Sequence, residues 1–513
     1  MKQLSPSPPH DPATVYLVGG GPGHPGLITL RGAECLRQAD VVLYDYLVNP
    51  LIVEHAPRSA ERICLGRHGR SRIWSQDEIN HAMVEFARAG KTVVRLKGGD
   101  PSVFGRLAEE TSHLAQHGVP YEVVPGVTVG LAVASHVGIS LTHRETASAV
   151  ALVTAHEDST KPAQAIDYHA LAQFPGTLVF YMAVTTAAAW TQALIDAGMD
   201  PNTPVALVRR CTWSNQQTIR TVLGDVAAQL TPRSRFPPPV VAVVGPLAQQ
   251  PVPLDWFAQA PLRGNTVLVT RPREQSAELR DLLLMAGADV LLQPTISIAP
   301  PEDWKLVDQA FRAQVTSGEM RPDWLVFSSA NGVSSFFDRL LYLDLDIRLL
   351  GAPKIAVVGE ATAKQLARYH LIADLVPGHY NAESLADELA PLAANKRVWI
   401  IRADRTREIL RDQLASVSAI VHELIVYRSL DVTTPDPDIL HAMQQGQIDW
   451  VTVTSSAIAQ SLVQMFGEVL GNTRLASLSP RITDTLKQLG HAVAAEAPQP
   501  TNAALVDAII HEK

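Results

Sequence analysis

The chain has 513 residues, 46% of them hydrophobic and 18% charged, with a formal net charge of -8 at pH 7. That length exceeds what a single core supports and predicts three or four folded units of ordinary globular composition. The negative balance argues against general nucleic-acid binding, and no apolar run is long enough to span a membrane. The first dozen residues have no apolar signal region, which predicts a loose tail over 1–12 and a cytoplasmic protein. Cys35, Cys64 and Cys211 are odd in number and lack metal-ligand spacing, so thiols in a reducing compartment and no bound metal are expected.

Short β-branched runs predict strands at 15–18, 41–44, 92–96, 121–124, 149–154, 177–181, 204–208 and 240–244. Longer amphipathic stretches separate them, including helices expected over 27–38 and over 104–117, the second with Pro101 in its first turn. This alternation predicts an α/β fold with mainly parallel sheets. A stretch of turn residues with no periodicity, including Gln249-Gln250-Pro251-Val252-Pro253, predicts a linker over 246–263. The pattern restarts at 264 with Thr266-Val267-Leu268-Val269. Within this second half Asp323-Trp324-Leu325-Val326-Phe327-Ser328-Ser329-Ala330 echoes Asp449-Trp450-Val451-Thr452-Val453-Thr454-Ser455-Ser456-Ala457. Two similar α/β lobes with a ligand pocket between them are implied.

Two glycine loops carry the chemistry of the first half. Thr92-Val93-Val94-Arg95-Leu96 runs into Lys97-Gly98-Gly99-Asp100-Pro101, where two residues without Cβ leave backbone open to a small polar ligand and Asp100 adds a carboxylate. Earlier, Val15-Tyr16-Leu17-Val18 runs into Gly19-Gly20-Gly21-Pro22-Gly23-His24-Pro25-Gly26. This satisfies the G-x-G-x-x-G spacing of a dinucleotide site, with Asp45 at the distance of a ribose-binding acid. Pro22 and Pro25, however, remove N–H groups that a pyrophosphate would need. A sulfonium cofactor needs no such cradle. A tight turn with no ligand is the third reading.

Six ordered blocks resolve the choice by resemblance: Val18-Gly19-Gly20-Gly21-Pro22-Gly23, Ala39-Asp40-Val41-Val42-Leu43-Tyr44-Asp45, Val94-Arg95-Leu96-Lys97-Gly98-Gly99-Asp100-Pro101, Val124-Pro125-Gly126-Val127-Thr128, Ile139-Ser140-Leu141-Thr142-His143-Arg144 and Leu178-Val179-Phe180-Tyr181-Met182. In these the first half resembles the two-lobed tetrapyrrole methylase family, most closely uroporphyrinogen-III C-methyltransferases, with the domain at 13–245. The resemblance implies S-adenosylmethionine held by Pro22, Gly98, Gly99, Asp100, Val103, Thr128, Val129, Met182 and Ala206. On local sequence alone Met182 reads as core packing. The resemblance further implies catalytic roles for Asp45, as the base that takes a ring proton, and Arg67. Asp45 also reads as a solvated carboxylate at a strand end. The run Arg67, His68, Arg70 and Arg72, with Arg144, suits substrate carboxylates, and reads equally as a solvated basic loop. Relatives have Asp at His24, Arg at Tyr46, Lys at Arg67 and Ala at Val129. An arginine keeps the charge but does not give up a proton.

From 264 the chain resembles uroporphyrinogen-III synthases in Val267-Leu268-Val269-Thr270-Arg271-Pro272, Val326-Phe327-Ser328-Ser329-Ala330-Asn331-Gly332-Val333, Val357-Val358-Gly359-Glu360-Ala361-Thr362-Ala363, Trp399-Ile400-Ile401-Arg402-Ala403-Asp404-Arg405, Val426-Tyr427-Arg428 and Thr454-Ser455-Ser456. That family folds as two α/β lobes, here 264–298 plus 428–513 and 299–427, with connectors expected near 293–298 and 426–429. The implied activity is closure of hydroxymethylbilane with inversion of the last pyrrole, a cyclising lyase reaction. Tyr427 would donate to the departing hydroxyl. Substrate carboxylates would meet Arg271, Ser328, Ser329, Thr362, Arg402, Ser455 and Ser456, with Arg405 adding charge, although such residues also serve as N-caps and surface charges. Where relatives have a Gly-Pro-x-Thr turn, this chain has Ser479-Pro480-Arg481-Ile482, with Thr483 the nearest replacement hydroxyl.

The expectation is a bifunctional enzyme that makes uroporphyrinogen III and methylates it to precorrin-2, with S-adenosylmethionine as cofactor and tetrapyrroles as ligands. The methylase resemblance implies a homodimer. No dehydrogenase-chelatase segment is seen, so complete siroheme synthesis is not expected, and whether the product feeds siroheme or cobalamin is open. Rival readings are an inert second half and a non-catalytic tetrapyrrole-binding regulator.

Overall fold

The computed structural model describes residues 14–66, 72–156, 166–230, 236–249, 256–316, 321–379, 381–405 and 408–512. These form four five-stranded sheets, two in each half. The first contains β1 (Val15–Gly19), β2 (Val41–Tyr44), β3 (Glu61–Cys64), β4 (Val93–Lys97) and β5 (Tyr121–Val124), all parallel in the order β3-β2-β4-β1-β5. Alternation along the strands sends Val15, Leu17, Val41, Leu43 and Val93 into one core and Val18, Val42, Val94 and Leu96 into another on the opposite face. Both faces are buried under helices. The open ends of β1 and β4, side by side at the sheet's centre, are therefore the exit through which this lobe can meet a ligand.

The second sheet departs from the expected parallel pattern. Among β6 (Ala149–Thr154), β7 (Gly176–Tyr181), β8 (Pro204–Arg209), β9 (Gln217–Val222) and β10 (Val240–Val244), ordered β6-β7-β10-β8-β9, only the β6–β7 pairing is parallel. Strand β9 lies at the edge with no fully buried residue, so it lacks the apolar run that marks the others.

In the second half, β11 (Thr266–Val269) and β12 (Asp289–Leu292) are followed by β13 (Ile296–Ala299), β14 (Trp324–Phe327), β15 (Lys354–Val357), β16 (Arg397–Ala403), β17 (Ile420–Asp431), β18 (Trp450–Val453), β19 (Arg474–Ser477) and β20 (Ala495–Glu496). They pair as β12-β11-β18-β19-β20 and β13-β17-β16-β14-β15. Strand β13 runs antiparallel to the far end of β17, with Ile296 opposite Asp431 and Ala299 opposite Arg428, and this ribbon joins the two lobes. The internal echo is structural. Asp323 and Asp449 each precede the corresponding strand, and each carboxylate accepts a neighbouring strand's N–H, from Arg397 at 2.8 Å and Thr266 at 2.7 Å.

Two helix expectations need correction. Residues 104–106 are not helical: Phe104 and Arg106 stand at φ 54° and 55°, and the helix is Leu107–Gln116, leaving Pro101 in the loop. The Phe104 ring is drawn instead toward Tyr181, 5.0 Å between centroids. Similarly, 27–38 divides into a short turn, Pro25–Leu27, and a helix, Leu30–Arg37, capped by Thr29. The stretch after 245 is also less open than its composition suggests, since Leu247, Ala248, Phe257 and Leu262 are core residues. Residues 1–13 and 250–255 lie outside the described residues.

The halves share a packed boundary. Leu51, on the helix Pro50–Val53, joins the cluster of Leu262, Val267 and Val290, flanked by the ion pairs Arg58–Glu274 and Arg273–Glu54. No described helix is long and apolar enough to cross a membrane.

One buried feature predicts its own energetic cost. Glu110, fully buried, accepts from Lys97 Nζ at 2.7 and 2.8 Å and from Arg95 Nε at 3.1 Å. Removing one partner of a buried ion pair leaves charge without compensation, so Glu110→Ala is expected to destabilise β4 by about 3–5 kcal/mol, measured by native-state hydrogen exchange of its amides. Adding Lys97→Met should recover part of that loss.

Candidate functional site

The two glycine loops are joined to one another. Gly21 and Gly99 exchange N–H···O=C bonds of 3.1 and 2.8 Å, and Gly20 donates to the Lys97 carbonyl at 2.7 Å. The approach is possible because side chains are missing: a Cβ on Gly126 would come within 2.2 Å of the Gly99 oxygen, and one on Gly19 within 2.6 Å of the Gly126 Cα. Gly98 differs. A Cβ there would meet nothing nearer than Leu47 at 3.9 Å, so its missing side chain leaves space rather than relieving a contact.

That space opens into a cleft of about 760 Å³ between the two lobes of the first half. Pro22, Asp45, Gly98, Gly99, Asp100, Val103, Thr128, Val129 and Met182 all line it. Asp45 Oδ1 pairs with Arg95 at 2.7 Å, and Oδ2 accepts the Gly98 N–H at 3.4 Å. Through Arg95 it is tied to Glu110 and Lys97. Burial, followed by the charge of Arg95, lowers the Lys97 pKa, and the charge and hydrogen bonds of Glu110 oppose that shift. The Asp100 carboxylate organises its own loop, accepting from Ser102 N at 2.7 Å and Gly126 N at 3.0 Å. Tyr181 forms the far wall. Its hydroxyl bonds Thr128 Oγ1 at 2.7 Å and the Gly130 N–H at 2.9 Å, and burial raises its pKa. Cys211 also lines the cleft, but burial pushes its thiol to about 12, which keeps it protonated and a poor nucleophile.

Several expected residues sit elsewhere. Ala206 is fully buried in the core beneath the cleft, packed with Tyr181, and does not line the opening, whereas Val208 on the same strand does. Arg144 is exposed on a turn beside Glu145, its nearest partner, and is not at the cleft. Arg72 is exposed and paired with Glu78 at a helix start. Arg67 and Arg70 lie outside the described residues. Among those described, no group of three or more His, Cys, Asp or Glu side chains is arranged to hold a metal ion.

Sequence reasoning passed over Arg95, Lys97, Glu110, Tyr181, Arg210 and Trp213. A signal existed for Glu110, which occupies the apolar stripe Leu107, Glu110, Leu114, where a lone carboxylate demands a buried partner. Arg210 and Trp213 lie in a non-repeating segment after β8, and nothing local distinguishes them.

In the second half, helices begin directly after β14, β15, β18 and β19: Ala330–Tyr342, Glu360–Ala367, Ser456–Phe466 and Pro480–Gln488. Each lobe therefore offers two helix N-termini at the end of a parallel sheet, where unpaired N–H groups and the helix dipole favour anions. Ser329 and Ser455 cap two of them, accepting from Gly332 N at 3.0 Å and Ile458 N at 3.1 Å. Ser329 Oγ also bonds the Tyr427 hydroxyl at 2.9 Å, and burial raises the Tyr427 pKa. Ser328 donates to the Ile401 carbonyl, Ser456 accepts from Thr485, and Thr362 is buried in the first turn of its helix. Arg402 is neutralised by Glu423 at 2.8 Å and Arg405 by Asp431 at 2.7 Å, so both charges are engaged within the protein. Arg271 donates to Asn502 at 2.8 Å, and burial lowers its pKa.

Comparison with known proteins matches two families along the chain. Residues 14–227 match the family model for tetrapyrrole (corrin/porphyrin) methylases, and residues 277–507 the model for uroporphyrinogen-III synthase HemD. The porphyrin biosynthesis protein HemD of Ruminiclostridium josui is 34% identical over 457 residues, 89% of each chain. The chain belongs to the tetrapyrrole methylase–uroporphyrinogen-III synthase fusion family. The uroporphyrinogen-III C-methyltransferase of Bacillus subtilis is 36% identical over 71% of this chain and 73% of its own. A solved uroporphyrin-III C-methyltransferase of Thermus thermophilus, complexed with S-adenyl homocysteine, is 38% identical, matching 46% of this chain and 98% of its own with a TM-score of 0.40.

Against that family's pattern, His24 keeps the acceptor an aspartate would supply: its Nδ1 accepts the Gly26 N–H at 3.1 Å and caps the turn Pro25–Leu27. Tyr46 and Val129 line the cleft. Thr483 does not replace the hydroxyl missing at Ile482. Both side chains are buried, and the Thr483 oxygen is bonded to Ser477 at 2.6 Å.

A raised tyrosine pKa fixes the sign of a pH effect. Below the ordinary phenol value of about 10 folded and unfolded chains both keep the proton; above it the unfolded chain loses the proton first, so stability falls as pH rises through the folded value. Replacing Tyr427 by Phe should reduce that alkaline loss of second-half stability, read in denaturant titrations on either side of this point.

Proposed function

We propose that the second half closes hydroxymethylbilane to uroporphyrinogen III with inversion of ring D, and that the first half methylates this product at C2 and C7 to give precorrin-2. The observation that carries the first-half reading is the convergence of Asp45 and both glycine loops on one cleft, with open backbone at Gly98. The residues fit S-adenosylmethionine: bare backbone at Gly98 and Gly99 admits close approach, Asp100 fixes the loop, and Val103, Val129 and Met182 give apolar cover. Bound there, S-adenosylmethionine supplies an electrophilic methyl group on a cationic sulfur. Asp45, oriented by Arg95 and Gly98 N–H, accepts the proton that the ring sheds after gaining a carbon.

For the second half, four helix N-termini suit the acetate and propionate groups of a linear tetrapyrrole. Held by them, the chain is kept from direct closure. Tyr427 keeps its proton through burial and donates it to the hydroxyl that leaves. A homodimer through the first half is supported by edge strand β5, which exposes Tyr121 and Val123.

Two substitutions test these roles. Gly98→Ala should leave unfolding within about 0.5 kcal/mol of wild type yet weaken S-adenosylhomocysteine binding tenfold or more, about 1.4 kcal/mol by calorimetry. Unchanged binding would remove the cofactor assignment. Tyr427→Phe should slow uroporphyrinogen III formation by on the order of 10², with methylation of supplied uroporphyrinogen III unaffected. An undiminished rate would exclude the tyrosine as donor.

A further inference from the structure

The segment between β8 and β9, residues 210–216, has one face in each half of the protein. Toward the first-half cleft it presents Arg210 and Trp213, with the guanidinium 4.4 Å above the indole ring. Trp213 also presses on the first glycine loop, since a Cβ on Gly23 would come within 2.1 Å of its Nε1, and Thr212 Oγ1 accepts the His24 N–H at 2.9 Å. The opposite face is gripped from the second half and from the end of the linker. Asp289, the first residue of β12, accepts the Ser214 N–H through Oδ1 at 3.0 Å; Gly264 donates to the Ser214 carbonyl at 3.0 Å; and Arg263 Nη2 donates to the Gln216 carbonyl at 2.7 Å. Arg210 and Thr212 stand at φ 47° and 73°, a conformation that residues with a Cβ hold only when their surroundings impose it. Within the first half, Gln216 Oε1 holds the Thr212 N–H at 2.8 Å. The first half also holds the segment through the Arg210 N–H, which donates to the Pro239 carbonyl at 3.2 Å, and Gln216 Nε2, which donates to the His136 carbonyl at 3.0 Å.

We infer that the second half sets the tetrapyrrole affinity of the first, with Asp289 acting as a positioning residue that holds Arg210 and Trp213 in place as a substrate wall. This rests on the methylase reading of the cleft. The pair has the chemistry of the macrocycle rather than of the methyl donor: an aromatic face for pyrrole rings and a planar cation for the carboxylates around them. The donor is assigned to the open backbone at Gly98 and Gly99, whereas Trp213 meets the first glycine loop at Gly23. Burial raises the Asp289 carboxyl pKa, opposed first by its bonds to Ser214 and then by the charge of Arg210.

The test uses the full chain with Asp289→Ala and with Asp289→Asn, which keeps an acceptor oxygen for the Ser214 N–H. Measured quantities are KM and kcat for methylation of uroporphyrinogen III, calorimetric binding of S-adenosylhomocysteine, and hydrogen exchange over residues 212–216. Asp289→Ala should raise KM about fivefold or more, the worth of one hydrogen bond, and speed exchange in the segment. Its kcat and S-adenosylhomocysteine affinity should stay near wild type, and Asp289→Asn should restore KM. An unchanged KM in Asp289→Ala overturns the inference, as does an equal loss in Asp289→Asn or a parallel loss of S-adenosylhomocysteine binding. A wild-type chain that binds S-adenosylhomocysteine but never methylates uroporphyrinogen III defeats the methylase reading and this inference with it; normal wild-type turnover with an insensitive KM defeats the inference alone.

Discussion

The first half depends on backbone meeting backbone. Gly19 and Gly21 at the end of β1, Gly99 after β4 and Gly126 after β5 lie so close that a single added methyl at Gly126 would overlap the Gly99 carbonyl. Three adjacent parallel strands thus end in one hydrogen-bonded knot, and the cleft is the space left beside it at Gly98. The arrangement follows from strand order: β1 lies between β4 and β5, so loops distant in sequence emerge as neighbours.

Beneath that knot, Arg95, Lys97 and Glu110 place ionised groups inside a core that otherwise excludes them. Such a cluster is weak as a source of stability, because desolvation offsets much of the attraction. Its effect is orientation. Glu110 fixes Arg95, Arg95 fixes Asp45, and the carboxylate at the mouth of the cleft is held by a chain of charge-assisted bonds from the helix Leu107–Gln116. In the second half, two of the helix N-termini at the sheet ends are capped by serine, Ser329 and Ser455.

Much of this was legible in the sequence where the governing physics is local. Apolar runs mark strands whether they are central, like β2 and β10, or at an edge, like β5 and β6, and all four fall at the expected residues. The exposed edge β9 does not announce itself, because Gln217, Thr218, Arg220 and Thr221 carry no apolar run. Nor does the delayed start of the helix after Arg106, which reflects a contact between Phe104 and Tyr181 from different lobes. Ala206 shows the same limit: membership in a strand beside the cleft is readable, but depth below its surface is set by tertiary packing. The buried carboxylate of Glu110 was readable only as an anomaly in an apolar stripe, its partners being on another element.

The two reactions proposed for the one chain are consecutive, which opens both to a single experiment. The full chain would be supplied with hydroxymethylbilane and S-adenosylmethionine under reducing conditions and its products followed by mass spectrometry. The account predicts uroporphyrinogen III first, then a species heavier by two CH2 units, since each added methyl is matched by a lost ring proton, with two equivalents of S-adenosylhomocysteine released. Recovery of only the unmethylated type I ring, with S-adenosylmethionine intact, would contradict it.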